Sequence, residues 1–207
     1  MNESILLDQI SKQDVIEWFG LITGIIYVIL AVYEKPSCWI FGILSSVAIA
    51  WKSFVDYKLI ADGFLQIFYV IIGFIGIWNW ISGRVGQHEK PITESPFVFH
   101  LVAISFCLLL SIPLSSFLIH YAGAKYGFPD TAISLLSICA TILLVQKDVH
   151  NWIYWIILDI MLMWLYYISG GYLFALLLLI YTLIAIVGFI QWRHQLRIYS
   201  PRGGRFG

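Results

Sequence analysis

Two tryptophans and a carboxylate share one face of an apolar stretch in the second half of the chain. Trp152, Trp155 and Asp159 stand at i, i+3 and i+7, the spacing that aligns side chains along one side of a helix. Aromatic faces attract cations, and a carboxylate in an apolar stretch needs a partner. The pattern predicts a site for a flat cationic ring. The alternatives are an aromatic belt at a membrane surface for the tryptophans and a hydrogen bond to a neighbouring helix for Asp159.

A second polar position lies in the third apolar stretch. Gln66 shares a helical face with Gly73 and Gly76, and the glycines allow a neighbouring helix to approach closely. We predict that Gln66 contacts a molecule bound in a cavity; the alternative is a hydrogen bond between helices. Asn79 lies on a different face near the end of the same stretch, so its side chain alone is ambiguous.

These positions belong to a chain that is too apolar for a soluble globular protein. Of its 207 residues, 60% are hydrophobic and 12% are charged, whereas soluble domains hold about 45–50% apolar and about 25% charged residues. Lys and Arg total 12, as do Asp and Glu. The lack of a basic excess excludes a typical nucleic-acid-binding protein and a disordered polyelectrolyte. We predict an all-α integral membrane protein without a removable signal peptide.

Seven apolar stretches have the length of a transmembrane helix, about 17 to 25 residues. They run over 16–33, 37–55, 61–81, 97–119, 131–146, 152–168 and 171–192. An odd number of spans places the termini on opposite sides. The C-terminal side would carry Lys35, Arg84, Lys90, Lys147, Arg193, Arg197, Arg202 and Arg205, against Lys12, Lys52, Lys58 and Lys125. Because cationic loops stay in the cytoplasm, we predict a cytoplasmic C-terminus and an external N-terminus.

The first three spans resemble the last three. A shift of 112 positions aligns Tyr69, Gly76 and Trp80 with Tyr181, Gly188 and Trp192, and a shift of 113 aligns Trp39 with Trp152. We therefore predict a 3+1+3 parallel-repeat arrangement. Its parts are a polar N-terminal segment (1–15), a first repeat (16–81), a loop and linker helix (82–130), a second repeat (131–192) and a basic tail (193–207). Parallel repeats that surround a substrate site are typical of transporters.

The sequence predicts no catalytic, metal or cofactor site. The 3 cysteines stand singly, and none of the 5 histidines has a second ligand at metal spacing. Hydrolase and nucleotide-binding motifs do not occur. We expect no enzyme, since an intramembrane enzyme would need a second catalytic group opposite Asp159. A membrane scaffold subunit is a further alternative, and it predicts an apolar interior without a cavity beside Asp159.

Two motifs resemble the PnuC nicotinamide riboside transporter family. The sixth span begins with Asn151-Trp152-Ile-Tyr-Trp155 and continues to Asp159, similar to the family's Asn-Trp-x-x-Trp-x-x-x-Asp/Asn motif. The third span contains Leu65-Gln66 followed by Gly76-Ile-Trp-Asn-Trp80, similar to the end of the family's first repeat. The resemblance extends roughly from Glu17 to Trp192. It implies that the substrate contacts are Trp152, Trp155, Asp159, Gln66 and Asn79.

The resemblance also implies how such a protein works. It implies facilitated diffusion of nicotinamide riboside across a bacterial inner membrane by a homotrimer with the repeat plan of the SWEET sugar transporters. A cytoplasmic kinase would phosphorylate the cargo, and the added charge would keep it inside. Relatives in the family carry thiamine or riboflavin. Thiamine is the first alternative cargo, because its ring is cationic and suits Asp159, and the neutral riboflavin is the second.

Overall fold

The computed structural model describes residues 3–55, 60–83, 90–122, 127–168 and 170–199. Within these ranges the chain forms α1 (Glu3–Lys12), α2 (Val15–Val32), α3 (Cys38–Val55), α4 (Ile60–Ser82), α5 (Phe97–Ala122), α6 (Gly127–Gln146), α7 (Asn151–Ile168) and α8 (Tyr172–Tyr199). The predicted all-α class is confirmed, and no strand occurs in the described ranges. Part of the evidence for the predicted orientation lies outside the described residues, namely Lys58, Arg84, Lys125, Arg202, Arg205 and the second half of the basic tail.

Helices α2 to α8 are long and apolar enough to cross a bilayer, so the seven predicted spans are confirmed as candidate spans. Two of them differ from the prediction by more than three residues at one end. Helix α6 begins at Gly127 and not at residue 131. Pro129 falls in its first turn, where backbone N–H groups have no partner within the helix, so the missing N–H of proline costs no hydrogen bond. Helix α8 continues to Tyr199, past residue 192, because a helix can extend into water after it leaves the apolar layer. The chain is a multi-pass membrane protein.

The polar N-terminal segment contains a helix that the apolar pattern does not predict. Helix α1 packs against α8. Gln9 binds the start of α8 with both ends of its amide: Nε2 donates to the carbonyl of Gly170 at 2.6 Å, and Oε1 accepts from the N–H of Leu173 at 3.0 Å. The next helix, α2, is capped by Asp14, which exchanges side-chain and backbone hydrogen bonds with Glu17. These bonds fix α1 at the side of the bundle where α2 and α8 begin.

Six of the seven spans form a closed ring. Each contacts the next in the order α2, α3, α4, α6, α7 and α8, and α8 contacts α2 again. Helix α5 lies outside this ring, against α6 and α4. The first triplet of helices (α2–α4) and the second (α6–α8) therefore meet at two seams, one between α2 and α8 and one between α4 and α6.

Two tryptophans close these seams in the same way. Trp80 on α4 donates from Nε1 to the carbonyls of Leu144 and Val145 on α6, at 3.2 and 3.1 Å. Trp192 on α8 donates to the carbonyl of Val32 at the end of α2, at 3.0 Å. Trp80 and Trp192 are aligned by the shift of 112 positions. These matching bonds support the 3+1+3 plan, which stays a prediction.

A buried ion pair lies beside the same helix ends. Lys147 Nζ is 2.8 Å from Glu34 Oε2, and the two side chains are 2% and 11% exposed. Both residues follow a helix end and have a positive φ, 54° at Glu34 and 60° at Lys147. Their numbers differ by 113, the shift that aligns the second span with the sixth. The pair ties the connection after α2 to the connection after α6.

The contact between Gly188 and Trp152 gives a testable measure of the packing. A Cβ atom at Gly188 would lie 2.7 Å from ring atoms of Trp152, so Gly188→Ala would force the indole to move. We expect this variant to lower the free energy of unfolding by about 1–3 kcal/mol, seen as a lower melting temperature in detergent. Gly20→Ala is the matched control, because its Cβ would meet Ile49 and Ala48 at 3.4 and 3.5 Å, close to ordinary contact. An equal fall in the melting temperatures of Gly188→Ala and Gly20→Ala would contradict the packing argument.

Candidate functional site

A cavity of about 230 Å³ lies inside the ring of helices. All six helices of the ring contribute to its wall, which is mainly apolar and aromatic. The polar residues of the wall are Ser45, Ser46, Gln66, Thr141 and Asp159, together with Tyr27, Tyr69 and Tyr181. The described wall contains no Lys, Arg or His. The cavity therefore offers aromatic faces, hydroxyl groups and one negative charge, and its geometry suits an aromatic molecule with a positive charge and polar substituents.

Asp159 supplies that negative charge from the middle of α7. The residue is 5% exposed. Within the described part of the chain it forms neither a hydrogen bond nor an ion pair, so the predicted alternative of an Asp bonded to a neighbouring helix is not observed there. A buried charge without a partner is costly. The position therefore favours a bound cation or hydrogen-bond donor.

Trp152 and Trp155 border the same cavity as Asp159. Trp152 is 1% exposed, and its ring meets that of Trp192 edge-on at a centroid distance of 5.4 Å. Its buried Nε1 has no hydrogen-bond partner among the described residues. Trp155 is half-buried. The structure thus places the two tryptophans and the acid in one cavity wall; that they bind a substrate stays a prediction.

Gln66 reaches the same cavity from the first triplet, on α4. Its amide is half-buried and forms no hydrogen bond with another described residue. One turn further along α4, the hydroxyl of Tyr69 lies 2.8 Å from Ser137 Oγ on α6. The seam between α4 and α6 is therefore bridged by Tyr69, while the amide of Gln66 lines the cavity; that it contacts a ligand stays a prediction.

Asn79 lies apart from the other predicted site residues and does not line the cavity. Its Oδ1 accepts a hydrogen bond from Lys90 Nζ near the end of α4. Burial lowers the pKa of Lys90, and the nearby ammonium of Lys147 lowers it further. The structure gives Asn79 a role in holding the segment that precedes α5.

Other wall residues were not predicted as site residues. They include Tyr27, Thr141 and Tyr181. The hydroxyl of Tyr181 occupies space that Gly24 leaves open, since a Cβ there would lie 2.6 Å from that oxygen. The repeat register is the signal that could have found Tyr181, because the shift of 112 positions aligns it with Tyr69 on the face of Gln66. Tyr27 and Thr141 carry no comparable signal in the sequence.

Comparison with known proteins gives consistent matches over nearly the whole chain. A family model described as nicotinamide mononucleotide transporter matches residues 14–194. The nicotinamide riboside transporter PnuC of Escherichia coli K12 is 28% identical over 216 residues, covering 92% of this chain and 88% of that protein. PnuC of Neisseria mucosa is 23% identical, covering 86% and 72%. A crystal structure of the vitamin B3 transporter PnuC matches with a TM-score of 0.74 at 20% identity, covering 95% and 90%, and shares the fold.

Proposed function

The chain belongs to the nicotinamide mononucleotide transporter family, and we propose that it carries nicotinamide riboside across a bacterial inner membrane. The observation that carries this proposal is the buried carboxylate of Asp159, which has no partner among the described residues and faces an aromatic cavity between two helix triplets. Nicotinamide riboside contains a flat ring with a positive charge. Carboxylates and indole faces both attract such a ring.

The proposed contacts use four of the five predicted site residues. Trp155 and Trp152 stack on the ring, Asp159 pairs with its charge or with the ribose hydroxyls, and Gln66 hydrogen-bonds a polar edge. The sequence predicts a similar role for Asn79, but its bond to Lys90 places it outside the cavity in the described conformation. We therefore leave Asn79 out of the proposed contact set.

The charge of the cavity favours the riboside over its phosphorylated form. A phosphate group would bring negative charge close to Asp159, and the described wall has no Lys, Arg or His to receive it. The same argument supports trapping of the cargo. Once a cytoplasmic kinase has added the phosphate, the product no longer suits the cavity and stays inside. We propose facilitated diffusion on this basis, with the kinase as a functional partner.

The two helix triplets are proposed as repeats, 16–81 and 131–192, that rock against each other about the cavity. The matching tryptophan bonds at the two seams support this division. We propose a cytoplasmic C-terminus, supported in the described chain by Lys35, Lys90 and Arg193 on that side of the bundle. The homotrimer is proposed from the resemblance to PnuC transporters.

The rival functions find less support in the geometry. A scaffold subunit predicts a filled interior, whereas a cavity of about 230 Å³ borders Asp159. An intramembrane enzyme needs a second catalytic group, and the described wall holds no other carboxylate, histidine or lysine. We therefore propose a transporter without catalytic residues of its own.

A melting experiment with candidate cargoes tests the proposed function. We expect nicotinamide riboside to raise the melting temperature of the purified protein in detergent by several degrees, because a ligand at about 100 times its Kd adds about 2.7 kcal/mol of stability. Thiamine should give a smaller shift and riboflavin the smallest, since riboflavin lacks the positive charge.

Nicotinamide mononucleotide is the control ligand, because it has the same ring and an added phosphate. A larger shift with the mononucleotide than with the riboside would contradict the charge argument. A larger shift in melting temperature with thiamine would identify thiamine as the cargo and would still support the proposed site. No shift with any of the four compounds would speak against a vitamin-binding cavity.

A further inference from the structure

Three metal-binding side chains meet where α5 begins and the connection before α7 ends. His100 is on α5, and Asp148 and His150 lie between α6 and α7. One donor atom from each of the three lies within 4.8 Å of the other two. His100 Nε2 is 3.1 Å from His150 Nδ1, which is 3.1 Å from Asp148 Oδ1. Ligand nitrogens at about 2.0–2.1 Å from a tetrahedral zinc ion are about 3.3 Å apart, close to the two 3.1 Å separations that meet at His150 Nδ1.

One tautomer of His100 directs a ring lone pair into the cluster. His150 Nδ1 lies 3.1 Å from both His100 Nε2 and Asp148 Oδ1, and a single hydrogen on Nδ1 cannot point fully at both. The other ring nitrogen of His100, Nδ1, lies 3.3 Å from the hydroxyl of Tyr154. A hydrogen on that nitrogen leaves the lone pair of His100 Nε2 directed towards His150 and Asp148. A cation between the three groups would satisfy all of them at once.

Two of the three groups, His100 and Asp148, are also held by hydrogen bonds to neighbouring residues, as metal ligands usually are. Tyr154 orients the ring of His100, and Glu94 Oε1 lies 3.7 Å from the second ring nitrogen of His150. Asp148 is 1% exposed, and its carboxylate accepts from the N–H of Ser95 at 2.7 Å and from the N–H of His150 at 2.8 Å. The donor groups of His100 and Asp148 are therefore oriented before any ion arrives.

A groove borders the cluster. It has a volume of about 810 Å³, and both histidines line it together with Glu94 and Tyr154. Water in the groove can fill the coordination positions that the protein leaves open. Two imidazoles, one carboxylate and an open position suit a divalent transition-metal ion better than Mg²⁺ or Ca²⁺, which prefer oxygen ligands.

We propose that His100, Asp148 and His150 bind one divalent transition-metal ion at the end of the bundle where α7 begins. The ion would join α5, which lies outside the helix ring, to the turn that starts α7. This site is separate from the cavity and does not depend on the proposed transport function.

The test is a titration of the untagged full chain in detergent with Zn²⁺, followed by calorimetry, and with Co²⁺, followed by visible absorption. We expect one saturable site per chain. His100→Gln and His150→Gln should each weaken zinc binding by more than about 100-fold, since even residues behind the ligands contribute about 10–100-fold. His120→Gln is the matched control, because His120 is exposed near the other end of α5 and should bind as the wild type does.

Tyr154→Phe provides a second test that keeps all three ligands. We expect zinc affinity to fall by about 10–100-fold, because the ring of His100 loses its orienting hydroxyl. Melting curves recorded without metal should show that the His100 and His150 variants are folded. If a histidine variant is unfolded, the zinc affinity of Tyr154→Phe tests the proposal in its place. Absent zinc binding, equal binding in the His100 and His120 variants, or unchanged affinity in Tyr154→Phe would overturn the proposal.

Discussion

Asp159→Asn is expected to lower uptake of nicotinamide riboside by about 30-fold or more and to leave the empty protein at least as stable as the wild type. Removing one member of a buried charge pair costs about 2–5 kcal/mol of binding, and about 1.4 kcal/mol corresponds to a factor of ten. In the empty protein the carboxylate is buried without a partner in the described residues. Its replacement by a neutral amide therefore removes an uncompensated charge.

The combination of uptake and stability separates a binding role for Asp159 from a structural one. Uptake of labelled riboside is measured in proteoliposomes, and the melting temperature is measured on the same preparation without ligand. Asp8→Asn is the matched control, because Asp8 is an exposed acid of α1 that pairs with Lys12 at 2.5 Å. If Asp159→Asn melted below the wild type and transported riboside normally, Asp159 would be structural and the proposed site would be wrong.

The residues that α7 contributes to the cavity could be predicted from the local sequence. Trp152, Trp155 and Asp159 lie within eight positions of one helix, so helical spacing alone brings them to one face. Asn79 shows the limit of this reasoning. It follows Gln66 by 13 positions, which is about 140° around a helix at about 100° per residue. The resemblance to a family placed Asn79 in the site, and the helix geometry places it elsewhere.

The spans could be predicted for a similar reason, because crossing a bilayer requires a long apolar run that is visible in the sequence. The same criterion misses α1, which is polar enough to lie in water, and it stops α8 at the edge of the apolar layer. The cluster of His100 and His150 was also invisible. These residues are 50 positions apart on separate elements, and tertiary packing alone brings them together.

Glu34→Gln is expected to lower the free energy of unfolding by about 3–5 kcal/mol, because it removes the carboxylate that neutralises the buried ammonium of Lys147. The two side chains are 11% and 2% exposed and their charged atoms are 2.8 Å apart. The control is Asp14→Asn, which removes a negative charge from the pair with Lys52. Asp14 is 47% exposed there, so its loss should lower the stability much less than the loss of Glu34 does. The losses of stability in Glu34→Gln and Asp14→Asn are compared by measuring their melting temperatures in detergent.

A charge exchange tests whether the interaction itself is responsible. Glu34 and Lys147 have similar positive φ values after their helices, so Glu34→Lys combined with Lys147→Glu should regain much of the stability that either single variant loses. Recovery should be incomplete, because Lys147 Nζ also lies 4.9 Å from the ring centroid of Trp80 and a glutamate there loses that cation–π contact. A double variant no more stable than the single ones would show that the connections after α2 and α6 are not held together by this ion pair.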